Sequence, residues 1–207
     1  MDSRRVKNVS SYLSPVADVW KGVDAVQVRM TPTPLGMQPT EYIRQSWHDK
    51  PYGKVDSLSV GSVHDGKTLA LKISWKGVSP DGVDFPDALA VAMPIGEPPP
   101  LALMGMPDKP IHILRWTANS SSLSSILSKG IGLSDDGPSI VAAAEAVKQD
   151  GSWHLVLTRQ LGVGKNIAPL MVGKSTGVGF AVWYGANEER AGIKAFSVDW
   201  INLALGA

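Results

Sequence analysis

Lys54–Trp75 reads KVDSLSVGSVHDGKTLALKISW, and this stretch decides the fold class. Its second half puts Leu69, Leu71, Ile73 and Trp75 at every other position, the period that lines one face of a β-strand. His64-Asp65-Gly66-Lys67 supplies a turn between the halves, so Lys54–Val63 and Thr68–Trp75 are expected to fold back as an antiparallel hairpin. On the C-terminal side, Ala88–Met93 and Ile111–Trp116 are short continuous apolar runs, the signature of strands buried on both faces. Ile140–Lys148 (IVAAAEAVK) and Trp153–Leu161 (WHLVLTRQL) flank Gln149-Asp150-Gly151 and read as a second hairpin. Gly162–Ser175 is a glycine-rich connection, Gly177–Tyr184 (GVGFAVWY) a strand, and Ile193–Leu205 a last strand after the polar loop Gly185–Gly192. Ser120–Lys129 reads as a short helix closed by Gly130. On the N-terminal side, Asp24–Thr31 alternates as a strand, Thr31–Thr40 is a loop broken by three prolines, and residues 1–20 form an arm. With no βαβ alternation, the pattern predicts a mostly β chain: one antiparallel β-sandwich domain over residues 1–207, with a few short helices.

Composition excludes several classes. Hydrophobic residues make up 43% of the chain and charged residues 19%, with net charge +1; such a surface has no basic face for nucleic acid. The chain has no cysteine, which removes disulfides, thiolate metal sites and covalent haem attachment. No apolar run approaches the roughly 20 residues of a membrane span. The start, MDSRRVKNVSSYLS, has paired arginines without a following apolar segment, so it is not an intact export signal. The seven tryptophans fit either a core or a surface buried against other subunits.

Little in the chain suggests an enzyme by itself. No serine is marked as a nucleophile with a His and a carboxylate beside it in the sequence, and His48, His64, His112 and His154 lack zinc-ligand spacing. Asp135-Asp136 and Glu188-Glu189 read as solvated loop charge. Gly162-Val163-Gly164-Lys165 lacks the spacing of a phosphate-binding loop.

One stretch is odd in another way. Phe85–Asn119, FPDALAVAMPIGEPPPLALMGMPDKPIHILRWTAN, holds Met104 and Met106 in an irregular segment bracketed by Pro100, Pro107 and Pro110. A thioether on a stiff loop beside a strand is either a core residue or a metal ligand. If the segment is extended, Met106 shares a face with Met104. His112 is either a ligand or a core histidine, on the same side of its strand as Leu114 and Trp116, and Arg115 points the other way.

The order of TLALKISW after the DGK turn, then FPDALAVAMP, LALMGMPDKPIHILRWTAN, GSWHLVLTRQL and GFAVWYGANEERAGIKAFS resembles the haem b-binding γ subunits of ethylbenzene dehydrogenase and its relatives. Those relatives are dimethylsulfide dehydrogenase, chlorate reductase, selenate reductase and steroid C25 dehydrogenase. The likeness runs from about Asp24 to Trp200. It implies a β-sandwich holding one non-covalent haem b through a Met and a Lys, which map to Met104 before Gly105 and to Lys194 in RAGIKAFS. It leaves Met106 and His112 as rival ligands and gives Arg115 a haem propionate to pair with. One departure is that some members carry a Lys just after the Trp matching Trp116, where this chain has Thr117; were that Lys the ligand, Lys194 would not be.

The resemblance further implies an electron-transfer subunit of a heterotrimeric, periplasmic molybdenum oxidoreductase. Its partners would be a molybdenum-containing α subunit, an iron–sulfur β subunit and an external carrier such as cytochrome c, with no substrate chemistry on this chain. The competing expectation is a non-haem, ligand- or carbohydrate-binding β-sandwich that stacks sugars on Trp47, Tyr52 and Tyr184.

Overall fold

The computed structural model describes residues 1–120 and 122–207. In chain order the elements are β1 (Asp2–Arg5), β2 (Ala25–Arg29), β3 (Thr31–Pro32), α1 (Glu41–Trp47), β4 (Ser57–His64), β5 (Thr68–Lys76), β6 (Ala88–Pro94), β7 (Ile111–Thr117), β8 (Ser124–Ser128) and β9 (Ser134–Asp136). They continue with β10 (Ala142–Gln149), β11 (Ser152–Gln160), β12 (Gly162–Gly164), β13 (Ile167–Leu170), β14 (Ser175–Trp183), β15 (Ala195–Phe196) and β16 (Ile201–Leu205).

The strands form two facing layers. One runs β10-β11-β5-β4, all antiparallel, with β2 on the far edge of β4. The other runs β14-β6-β7-β8-β9, with β16 and β15 sharing the remaining edge of β14. β1 joins them, pairing in parallel with β16 through Asp2 and Ser3 and with β4 through Arg4 and Arg5. The arm of residues 1–20 therefore contributes a strand to the sheet before Val9 and Trp20 cover the outer face of the first layer at Val63, Ala70 and Val156.

Alternation explains the core. Leu69, Leu71 and Ile73 of β5 meet Leu89, Val91 and Met93 of β6 and Phe180 and Val182 of β14 between the layers. Trp75 and Trp153 cross this core to Trp116, with ring centroids 6.2 and 4.9 Å away, contacts that add to their burial. Six of the seven tryptophans are buried in the chain itself, so tryptophan content needs no partner surface to explain it.

Both expected hairpins form, and the alanine-rich run is strand β10. The mostly β sandwich is thus the observed architecture.

Four local expectations change. Within the helix expected over Ser120–Lys129, Ser121 lies outside the described residues and Ser124–Ser128 is strand β8. The last strand is broken: Phe196 pairs with Ala181, whereas Trp200 turns its indole Nε1 to donate to Pro99 O at 2.6 Å, before β16 resumes the ladder. The Gly162–Ser175 connection contains the small hairpin β12-β13. Helix α1 was not foreseen, although Thr40 caps it by accepting from Ile43 N. Among the described residues no helix is long and apolar enough to cross a membrane.

Candidate functional site

The second layer presents small side chains outward. Along β6, Leu89, Val91 and Met93 face the core, and Ala88, Ala90 and Ala92 face the other way. Above Ala90, Ala92 and Ala181 lies a cavity of about 330 Å³, at the lower end of the range for ligand pockets. Ile111, Ile113 and Ile126 form one wall and Trp183, Lys194 and Phe196 another; Leu101 and Met104 close one side, and Gln38, Pro39 and Ile43 lie over it.

Met104 reaches this cavity from a single 3₁₀ turn, Leu101–Leu103, which it ends in the left-handed conformation (φ 56°, ψ 37°). Leu101 anchors the turn by packing where Gly179 of β14 has no side chain, and Trp200 packs in the same way over Gly177. Ser128 Oγ then donates to Met104 O at 2.6 Å. Gly105 follows with φ 96°, and a Cβ there would collide with the Ser128 backbone carbonyl. The Met-Gly pair thus has a physical reason: the chain crosses β8 at a distance and a φ that only glycine tolerates.

Lys194 comes from the opposite side, at the end of the loop between β14 and β15. It is 5% exposed, with its carbonyl accepting from Thr33 N at 3.0 Å. Its Nζ donates to Ala191 O at 3.3 Å and to Met104 Sδ at 3.7 Å. Two residues 90 positions apart thus meet at the cavity wall. The Trp183 ring lies beside both Lys194 Nζ (5.4 Å from its centroid) and the Arg115 guanidinium (5.1 Å), and Trp183 Nε1 donates to the same Ala191 carbonyl at 3.0 Å.

The site is electropositive and short of anions. Burial, and secondarily the charge of Arg115, lowers the Lys194 pKa to about 8. Arg115 is itself pulled down by burial; it makes no ion pair among the described residues, and its Nε lacks a hydrogen-bond partner there. Gln38 Oε1 is likewise buried without a donor, while Nε2 of the same side chain donates to Gly192 O at 3.0 Å.

Of the expected site residues, Met104, Lys194 and Arg115 line the cavity together. Met106 does not: the left-handed turn at Met104 means the segment is not extended, and Met106 instead closes a turn with Lys109. His112 faces the interior between the layers, where its Nε2 lies 3.0 Å from Ser125 Oγ. Thr117 pairs with Ala88 at the end of β7 and does not line the cavity. Glu188 is exposed, but Glu189 is 2% exposed, which overturns its reading as solvated loop charge. Asp135-Asp136 is exposed, as expected. Gln38 and Trp183 are not singled out as site residues in the sequence, and no local pattern there marks them or separates Glu189 from a solvated charge. The aromatics considered for sugar stacking do not make an open platform. Trp47 is buried edge-on to Tyr52, the Tyr52 hydroxyl donates to Thr33 O at 2.6 Å, and Tyr184 packs at Gly77.

No family model matches the chain. It is 29% identical over 200 residues, 92% of this chain and 78% of the relative, to the chlorate reductase subunit gamma of Ideonella dechloratans. It is 26% identical over 200 residues, 93% of this chain and 68% of the relative, to a Haloferax mediterranei protein provisionally named respiratory nitrate reductase heme subunit ORF7. These relatives match the γ-subunit resemblance drawn from the sequence motifs. Among solved structures, the fold is similar to a carbohydrate-binding module of family 9 from Caldicellulosiruptor kristjanssonii in complex with cellotriose (TM-score 0.55, 9% identity, covering 100% of this chain and 93% of that one). It is also similar to a provisionally named carbohydrate-binding protein from Bacteroides uniformis (TM-score 0.58, 11% identity, covering 100% and 98%). At such identities the likeness concerns the sandwich architecture alone.

Proposed function

We propose that this chain is a haem b electron-transfer subunit, holding one non-covalent haem in the cavity above Ala90 and Ala92 through Met104 and Lys194. The observation that carries this reading is the 3.7 Å approach of Lys194 Nζ to Met104 Sδ at the wall of an apolar cavity. The residues fit the group. Alanine and isoleucine walls suit the face of a macrocycle, and Arg115, without a carboxylate partner among the described residues, suits an anionic edge group. An amine ligates metal only when neutral, and burial has already lowered the Lys194 pKa to about 8.

Haem bound there supplies a one-electron couple. The chain would provide the rest: Met104 and Lys194 would hold the group, the thioether adding no charge and favouring the reduced state and the neutral amine leaving no ligand site for substrate, with Trp183 as one wall of the cavity. The names of the two relatives, a γ subunit of chlorate reductase and a heme subunit of nitrate reductase, support a role inside a multi-subunit reductase. In this reading the assembly is a periplasmic heterotrimer. An α subunit with molybdenum performs the substrate chemistry, and this chain relays electrons between an iron–sulfur β subunit and an external carrier such as cytochrome c.

The visible spectrum of the purified chain reconstituted with haem b tests the site. A six-coordinate, low-spin spectrum is expected, with Lys194→Ala and Met104→Ala each losing one axial ligand. A chain that takes up no haem, or a spectrum that neither substitution alters, overturns the reading. Copurification with a large molybdenum subunit tests the assembly, and isolation of the native chain as a free monomer counts against it.

A further inference from the structure

We infer that Glu189, supported by Asp87, is the positioning residue for Lys194, a buried carboxylate that holds the loop delivering the amine to the cavity. The inference rests on the reading of Lys194 as an axial ligand. Between Trp183 and Ala195 the chain leaves the sheet and passes through two left-handed residues, Glu188 (φ 57°) and Ala191 (φ 50°). Such conformations persist only where surrounding contacts over-determine them.

Glu189 supplies those contacts. It is 2% exposed and makes no ion pair among the described residues. Its Oε1 accepts from Gly53 N at 2.8 Å, Asn187 Nδ2 at 3.1 Å and Lys54 N at 3.2 Å, and its Oε2 accepts from Tyr184 N at 3.1 Å. Every partner is an N–H donor, so the position demands a group that only accepts, which an ionised carboxylate does and an amide does not. The donors belong to two segments, residues 53–54 and the start of the loop itself. The side chain therefore ties the loop both to its origin and to a neighbouring strand connection.

Asp87 repeats the device at the loop entrance. It is also buried, and accepts from Gly185 N at 2.8 Å, Ser79 N at 2.7 Å and Trp153 Nε1 at 2.8 Å. Ser79 Oγ donates to Asp87 and accepts from Ala186 N at 2.6 Å. With the loop entrance held through Asp87 and its middle held at Glu189 by charge-assisted bonds, Ala191 O is placed to receive Lys194 Nζ, which also reaches Met104 Sδ.

The experiment reconstitutes the full chain with haem b and compares Glu189→Gln, Ser79→Ala, Lys194→Ala and, as the control, Glu188→Gln. It reads axial ligation by absorption and electron paramagnetic resonance, and folding by thermal melts. The amide at 189 sets an N–H against an N–H donor. Glu189→Gln is therefore expected to lose the wild-type six-coordinate signature in at least half of its haem and to shift toward the Lys194→Ala spectrum. Glu188→Gln is expected to match wild type. Where Glu189→Gln fails to fold, Ser79→Ala carries the test with the same shift in a smaller fraction. A folded Glu189→Gln chain, or in its absence a folded Ser79→Ala chain, that keeps the wild-type signature while Lys194→Ala loses it overturns the positioning role and leaves the ligand assignment standing. A wild-type signature retained by Lys194→Ala overturns the assignment and, with it, the positioning role.

Discussion

His112 sits opposite Met93 in the β6-β7 ladder and points between the layers. The Ser125 hydroxyl gives its hydrogen to Pro138 O at 2.7 Å, so His112 Nε2 is assigned as the donor to Ser125 and the ring is neutral. Burial first, and the nearby Arg159 guanidinium second, lower its pKa from 6.5 to about 4. Because the folded value lies below the unfolded one, the unfolded chain binds more protons between pH 6.5 and 4. Stability is intact above that window and declines as pH falls through it. The shift corresponds to about 3 kcal/mol. Urea titrations of the haem-free chain are expected to show this acid loss, and His112→Gln to flatten its share; an unchanged slope in that variant would place the proton elsewhere. The same residue shows what a single sequence reveals at this scale. Strand alternation was enough to put His112 and Arg115 on opposite faces, but not to say which face held the cavity. Glu188 and Glu189 are chemically identical neighbours, and a left-handed turn at the first of them sends one side chain to water and the other inside. Met104 and Lys194 were legible only through the order of motifs around them, since a lone Met or Lys carries no such signal.

Among the elements, the crossing of residues 101–105 over β8 depends on glycine in two different ways. At Gly105 a side chain would meet the carbonyl of Ser128, backbone that is locked in the β7-β8-β9 ladder, and the φ of 96° adds strain of its own. At Gly179 it would meet only the tip of the Leu101 side chain, which can rotate. Gly105→Ala is therefore expected to cost about 2–4 kcal/mol and to weaken haem binding, and Gly179→Ala about 1 kcal/mol. Equal losses on chemical denaturation would mean that the β8 contact is not rigid. β8 also explains a misreading. Ile126 lines the cavity while the adjacent Leu127 is buried on the other side, so both faces of this strand are apolar. Together with Leu123, those neighbours imitate the i, i+3, i+4 spacing of a helix face. β5 and β11 were legible because Leu69, Leu71, Ile73 and Trp75, and Trp153, Leu155 and Leu157, recur at every other position. The broken strand after Lys194 was not, because Trp200 leaves the ladder for Pro99 and Gly177, contacts set by tertiary packing.

For the molecule as a whole, the division of labour between layers matters most. The residues found around the cavity come from the second layer, the loops beside it and helix α1 at Ile43; none lies in β4, β5, β10 or β11. β1 is what joins the two layers, through parallel pairs to Ala204 and Leu205 on one side and Val63 and His64 on the other. It also buries Ser3 against Ser62, whose hydroxyl donates to Ser3 Oγ at 2.9 Å. Deleting Met1–Arg5 removes those ladder bonds and the Met1 ammonium contact to Asn202 O, leaves Ser62 buried without its partner, and opens the edges of β4 and β16. The expected loss is about 3–5 kcal/mol, from a few hydrogen bonds near 1 kcal/mol each plus the stranded hydroxyl, with greater aggregation on heating. Haem titrated below the melting temperature is expected to give the same ligation spectrum as in the full chain, because none of its contacts is removed. A truncated chain that melts normally would show that the layers hold together through the core alone. One that stays folded but loses the spectrum would show that the cavity depends on the first layer, contrary to the separation seen in its walls.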